Sequence, residues 1–233
     1  MTAPVMAPGT APVAIVGMHR SGTSCLAGCL EDLGLTLGEV NRAAPHNLKG
    51  NNENPRFWAV HDAVLARVDA AWDRPPAGPV AWTASEIAAL KAVLADYEPL
   101  SPPWGFKDPR ATLLLDGWFE ALPDLRLVGS IRHPLAVAAS LGKRNGYAVE
   151  MSLAIWEGYN RAMLGWHDRA PFAVIDYDAT DYERRVRAAA THLGLDSARP
   201  MLFRASELTH QKADGPAQEA VAPLWARLQD VAA

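Results

Sequence analysis

Cysteine is scarce: the 233 residues hold two, Cys25 and Cys29. Four apart, they share a face of the helix expected there and form no disulfide framework, so they read as packing residues in a reducing compartment. Long apolar runs are missing too. Stretches such as residues 12–17 and 111–115 fall far short of the ~20 residues that cross a bilayer, so no membrane span is expected. Residues 1–12 are rich in Ala and Pro but lack the basic start and sustained apolar stretch of a secretion signal. They read as a loose tail, and the expected location is cytoplasmic. Charge of one sign is also absent. With 22 basic and 26 acidic residues the net charge is −4, which gives no overall footprint for nucleic acid and no attraction to a membrane surface. A local basic cluster could still hold a small anion.

What is present suits a globular chain: 49% hydrophobic and 21% charged residues fit one domain over residues 13–233. Residues 13–17 form a β-branched run, and Leu26, Leu30 and Leu33 follow at helical spacing. Residues 38–56, with Asn at 41, 47, 51, 52 and 54, show no period and read as a long functional loop. A helix is expected from Phe57 to about Trp72. Another is capped by Thr83 with Glu86 three residues on and ends near Tyr97. Short strands at 104–107, 125–131 and 172–176 alternate with helices at 111–122, from Pro134 to about Gly142, 151–167, 182–193 and 216–231. The fold class is therefore α/β, a parallel sheet covered on both faces, whose ligands bind beyond the carboxyl ends of the strands.

Three strand ends carry polar clusters. The first, Gly17-Met18-His19-Arg20-Ser21-Gly22-Thr23-Ser24, has the G-x-x-x-x-G spacing of a phosphate loop between strand and helix. Its glycines let amides turn inward, and the helix N-terminus adds partial positive charge. Thr23 stands where a nucleoside-triphosphate enzyme carries lysine, while the cation is Arg20, within the loop. The other two clusters are Lys107-Asp108-Pro109-Arg110 and Arg132-His133.

Strand followed by R-S-G-T-S resembles the 5′-phosphosulfate loop of sulfotransferases that use 3′-phosphoadenosine 5′-phosphosulfate (PAPS). That family also places an arginine at a strand end and a serine eight residues later on the 3′-phosphate, as Arg132 and Ser140 stand here. Residues 47–54 with His61-Asp62, residues 104–110 with Trp118, and residues 172–178 are similar to segments of a bacterial branch. The resemblance implies a three-layer sandwich with a P-loop-like core and transfer of a sulfuryl group from PAPS, without a metal. The acceptor would be a hydroxyl, or an amine, of a small molecule or carbohydrate.

On that resemblance residues 17 and 19–24, with Arg132 and Ser140, bind the donor. Glu53 is the base, with His61 as the alternative, Lys107 and Arg20 neutralise charge on the transferring group, and Lys49, His61 and Arg110 face the substrate. Plainer readings stand beside these: Glu53 as a loop acid or helix cap, His61 as a packed core histidine, Arg110 in an ion-pair network with Asp108, and Lys49 in solvent. Pro109 occupies the position where other branches carry a histidine base. No R-K-G motif is found near the C-terminus, which leaves Arg204 and Lys212 as candidates for the remaining 3′-phosphate contacts. Two rivals compete with the sulfotransferase: an ATP- and magnesium-dependent phosphotransferase using Asp176, and a nucleotide-binding module without catalysis. Acceptor identity and oligomeric state are not readable from the sequence.

Overall fold

The computed structural model describes residues 11–43, 50–204 and 217–232. Lys49, His46 and Lys212 lie outside the described residues. Among those described, four parallel strands form one sheet in the order β2-β1-β3-β4. They are β1 (Val13–Val16), β2 (Gly105–Lys107), β3 (Arg126–Ile131) and β4 (Ala173–Asp176). Successive side chains of a strand point to opposite faces, and β1 divides accordingly. Val13 and Ile15 pack with Leu26 and Leu30 of α1 (Thr23–Asp32) and Val186 of α7 (Tyr182–His192). Ala14 and Val16 face the larger core beneath the other helices. That layer contains α2 (Pro55–Arg67), α3 (Ala84–Leu94), α4 (Leu115–Ala121), α5 (Pro134–Asn145), α6 (Val149–His167) and α8 (Ala222–Val231). Helices thus cover both faces, as the alternation of elements requires.

β1 has β2 on one side and β3 on the other, so the crossover from β1 to β2 runs one way along the sheet and that from β2 to β3 runs back past β1. The crevice between the carboxyl ends of β1 and β3 is the topological switch point where such sheets bind ligands. Residues 17–24 follow β1, and Arg132 follows β3.

Several boundaries differ from the sequence expectation. The helix expected over 111–122 is a 3-10 turn, Pro109–Leu113, followed by α4. The Asp108 side chain caps Arg110 N, the Thr112 hydroxyl is bonded to Gly17, and Leu114 at φ −130° breaks the helical path. Helix α2 stops at Arg67 rather than Trp72, because Asp69 adopts φ 55° and Ala71 pairs with Arg74 across a tight turn. α5 runs on to Asn145 and is closed by left-handed Gly146. The Thr83–Glu86 capping box forms as expected, with helix α3 and a 3-10 turn reaching Tyr97. No helix among the described residues is long and apolar enough to cross a membrane. Cys25 and Cys29, both on α1, form no disulfide among the described residues.

Candidate functional site

The loop after β1 is clamped by both neighbouring strands. Gly17 N donates to Thr112 Oγ1 at 2.8 Å from the segment after β2. On the other side, Ser130 Oγ of β3 donates to Ser21 O at 2.6 Å. A side chain at Gly17 would collide with the Ser130 carbonyl at 2.3 Å, so only glycine permits this approach. Gly22, at φ 85°, precedes α1. The amides of Gly22, Thr23 and Ser24 find no backbone acceptor among the described residues, as expected for the first turn of a helix. The Ser21 hydroxyl is buried with no partner among them. Amides without acceptors, a partial positive charge and a buried hydroxyl form a cradle that fits an oxyanion.

Cations surround the cradle. Arg20 takes the left-handed conformation, φ 68°, and its Nε donates to Ser140 Oγ of α5 at 2.8 Å. Burial, together with the charges of Arg144 and Arg132, disfavours its own charge, so an anion here would relieve three neighbouring guanidinium groups. Arg132 is 7% exposed. Its Nε donates to Asp178 Oδ2 at 3.0 Å, and its guanidinium carbon lies 4.9 Å from the Tyr177 ring centroid. The loop and the β3 end therefore face one crevice and are joined through the Arg20–Ser140 hydrogen bond.

Tyr177 packs between the loop and Arg132. A Cβ on Gly22 would lie 2.2 Å from its ring, and the left-handed backbone costs a non-glycine residue about 1–2 kcal/mol. Gly22→Ala must therefore displace Tyr177, and with it Arg132. The expected result is a melting temperature lower by several degrees, read by thermal shift.

Lys107, at the end of β2, is 3% exposed and joins three segments. Its Nζ donates to Glu53, to Asn51 O at 2.9 Å and to Ser24 Oγ at 3.2 Å. Glu53 is held beside the loop by its own backbone: Asn41 N donates to Glu53 O at 2.9 Å, and Asn52 N to Asn41 O at 3.0 Å. Asn54, not Glu53, caps α2 by accepting from Arg56 N at 2.9 Å, so the Glu53 carboxylate is left to the site. Burial pushes it above the ordinary carboxylate range, while the Lys107 charge pulls it down. A buried lysine–carboxyl pair thus stands at the end of the cradle.

His61 is fully buried. Trp118 Nε1, a donor only, gives its hydrogen to His61 Nε2 at 2.9 Å. Nδ1 therefore carries the proton and donates to Asp108 Oδ2 at 2.8 Å. With no exposed surface and both nitrogens engaged, His61 is the packed core histidine, and its reading as a substrate contact is corrected. Burial alone would push Asp108 up, but the His61 ring bonded to it and the Arg110 guanidinium outweigh burial and hold it well below the usual carboxylate range. Arg110 is itself held by Asp62 at 2.7 Å and Asp108 at 3.2 Å, the ion-pair arrangement. Because the Asp108 pKa is depressed on folding, its stabilising contribution is present above the unfolded value and lost as pH falls toward the folded one. His61→Ala leaves the buried Asp108 and Trp118 without a partner. A loss of about 3 kcal/mol in urea unfolding is expected, with nucleotide affinity unchanged.

His19 was expected on the donor, but its neighbours were passed over by sequence reasoning. His19 packs edge-on against Trp72, centroids 4.9 Å apart, and against Tyr159 at 5.9 Å. Burial, then the Arg110 charge, push its pKa well down, and its Nε2 has no partner among the described residues. The tryptophan beside the loop is thus Trp72, whereas Trp104 packs on Tyr97 in the core. Arg144 lies over the Trp72 ring. Its spacing from Ser140, one helical turn, was the one available signal. Arg204 lies over the Tyr182 ring, 4.1 Å from its centroid.

No protein-family model and no curated protein matches the chain in sequence. Solved structures do match in fold. Sulfotransferase STF9 from Mycobacterium avium aligns with a TM-score of 0.58 at 17% identity, covering 96% of this chain and 77% of its own. A sulfotransferase from Alicyclobacillus acidocaldarius gives 0.54 at 17% identity, over 98% and 96% of the two chains. The sulfotransferase domain of the Synechococcus PCC 7002 olefin synthase gives 0.50 at 17% identity, over 100% and 97%. The chain therefore has the α/β fold of these sulfotransferases, a parallel sheet between helical layers.

Proposed function

We propose that the chain is a PAPS-dependent sulfotransferase acting on a hydroxyl or amine of a small-molecule or carbohydrate acceptor. One observation carries the reading: the oxyanion cradle of residues 17–24 and the Arg132–Ser140 pair open on the same crevice, joined by the Arg20–Ser140 hydrogen bond. The geometry fits a nucleotide with anionic groups at both ends of one ribose. PAPS, when bound, supplies an activated sulfuryl group on a phosphate leaving group.

The cradle amides and Ser21 hold the 5′-phosphosulfate, and Arg132 with Ser140 holds the 3′-phosphate. Asp178, which pairs with Arg132, keeps that guanidinium in place between turnovers. Glu53 takes the proton of the acceptor as its oxygen or nitrogen bonds to sulfur. Lys107 and Arg20 neutralise the negative charge that grows on the bridging oxygen as its bond to sulfur breaks, and the 3′,5′-bisphosphate leaves. The Lys107–Glu53 contact supports a cation and a base acting on one reacting centre.

Thr23 is the observation against a phosphotransferase, since the loop has no lysine to reach a triphosphate. The test is transfer itself: incubation with PAPS and a mixed panel of phenols, alcohols, amines and sugars, followed by mass spectrometry. Gain of a sulfuryl group on a panel member supports the reading. Phosphorylation from ATP with magnesium, or tight nucleotide binding with no transfer to any acceptor, replaces it with one of the rivals.

A further inference from the structure

We infer that Arg144, seated on Trp72, makes the acceptor side of the crevice a site for molecules that carry an anionic oxygen group, a carboxylate first, beside the nucleophile. The inference deepens the sulfotransferase reading and rests on it.

Arg144 stands four residues after Ser140 on α5, hence on the same helical face one turn further from Arg132. Its guanidinium carbon lies 5.0 Å from the Trp72 ring centroid, close enough for a cation–π contact that fixes its plane. Nε donates to Asn145 Oδ1 at 2.7 Å. No carboxylate pairs with it among the described residues, although the other strong cations of the crevice except Arg20 each have one. Lys107 has Glu53, Arg132 has Asp178, and Arg110 has Asp62 and Asp108. Asp73, in the Trp72 turn, is engaged by the Tyr147 hydroxyl, and Tyr147 itself stacks on Trp72 with ring centroids 6.2 Å apart. Arg144 is thus a half-buried cation, held in a fixed orientation, without a counter-charge.

Arg144 borders the donor loop, through Arg20 and through Trp72 packed on His19, and reaches past it. The charges it feels after burial are those of Tyr147, Glu53, Arg110 and Tyr159, which is the Glu53 side of the crevice. An acceptor must approach from that side for Glu53 to take its proton. A cation needed only to complement the dipole at the end of α5 is already supplied by exposed Lys143. A planar fork lying over an indole, with its terminal amines unbonded among the described residues, suits a planar carboxylate held by two hydrogen bonds.

The test pairs acids with their neutral methyl esters: 4-hydroxyphenylacetate, glucuronate and 3-hydroxybutyrate, each against the enzyme saturated with adenosine 3′,5′-bisphosphate. Binding is read by saturation-transfer NMR and tryptophan fluorescence. At least one acid is expected to bind about tenfold or more tightly than its ester. Arg144→Ala and Arg144→Gln should abolish that preference, and Arg144→Lys should keep part of it. Bisphosphate affinity should fall by less than tenfold, since Arg20 and Arg132 remain, and the Gln variant preserves contact with Trp72 if the Ala variant melts early. Equal binding of every acid and ester, no binding of any, or a preference that survives in Arg144→Gln would overturn the inference. So would a tenfold loss of bisphosphate affinity in that variant, which would assign the cation to the donor. Should wild-type protein fail to bind the bisphosphate, the sulfotransferase reading fails instead, and the acid–ester comparison on the ligand-free chain still decides the role of Arg144.

Discussion

Glu53→Gln is expected to lower kcat by about 10²–10⁴, the range that a positioned base contributes, while bisphosphate affinity changes less than threefold. The substitution keeps the shape of the side chain and an oxygen that accepts from Lys107 Nζ, so the hydrogen bonds to Ser24 Oγ and Asn51 O that position Lys107 persist. Only the capacity to take a proton is lost. The pH profile supplies a second readout. Burial raises the Glu53 pKa above its ordinary value, and a base works only when deprotonated. In wild type, kcat/KM should therefore rise with pH through an apparent pKa above the ordinary carboxylate range, and Glu53→Gln should remove that limb. Steady-state kinetics from pH 4.5 to 9 checks both. A retained limb would assign the base elsewhere. Linkage gives the matching stability effect: a carboxyl whose folded pKa is raised favours folding below its unfolded value, and that contribution is lost as pH rises through the folded one.

Lys107→Met is expected to act more broadly. It removes the cation at the bridging oxygen, for which a loss of about 10²–10³ in kcat is typical. It also withdraws the charge that pulls the Glu53 pKa down, so the carboxyl stays protonated over a wider range and fails as a base. The expected combined loss is at least 10³. The side chains of the pair are 3% and 6% exposed, and stranding a buried carboxyl costs about 3–5 kcal/mol when it remains charged. The double variant Lys107→Met with Glu53→Gln should recover much of the stability but none of the activity. Denaturant unfolding beside single-turnover kinetics separates the two roles. Equal activity in the single variant and wild type would contradict the assignment of Lys107.

Legibility followed range along the chain. The β1–loop–α1 unit was readable because its signals are contiguous: a β-branched run, two glycines five apart and leucines at helical spacing. Arg132 and Ser140 were picked out through resemblance, on a contiguous spacing that the start of α5 at Pro134 keeps fixed. Glu53 and Lys107 were legible only through resemblance, since nothing local shows that they meet across 54 positions. Thr112 and Ser130, which shape the loop from 95 and 109 residues away, gave no signal in a single sequence. Trp72 was misplaced for a different reason. Its apolar spacing continues that of α2, and the helix end is set by left-handed Asp69, a conformation that neither glycine nor proline announces there. His61 was read both as core and as substrate contact, and only its two buried partners decide between them.

Titration calorimetry with adenosine 3′,5′-bisphosphate and adenosine 5′-monophosphate, against wild type and Arg132→Ala, tests the central claim most directly. The account predicts that wild type prefers the bisphosphate by about a hundredfold, the scale of a bidentate charged contact, and that Arg132→Ala brings the two nucleotides to near-equal affinity by weakening the bisphosphate alone. Equal affinity of wild type for both nucleotides, or an unchanged preference in Arg132→Ala, would contradict it.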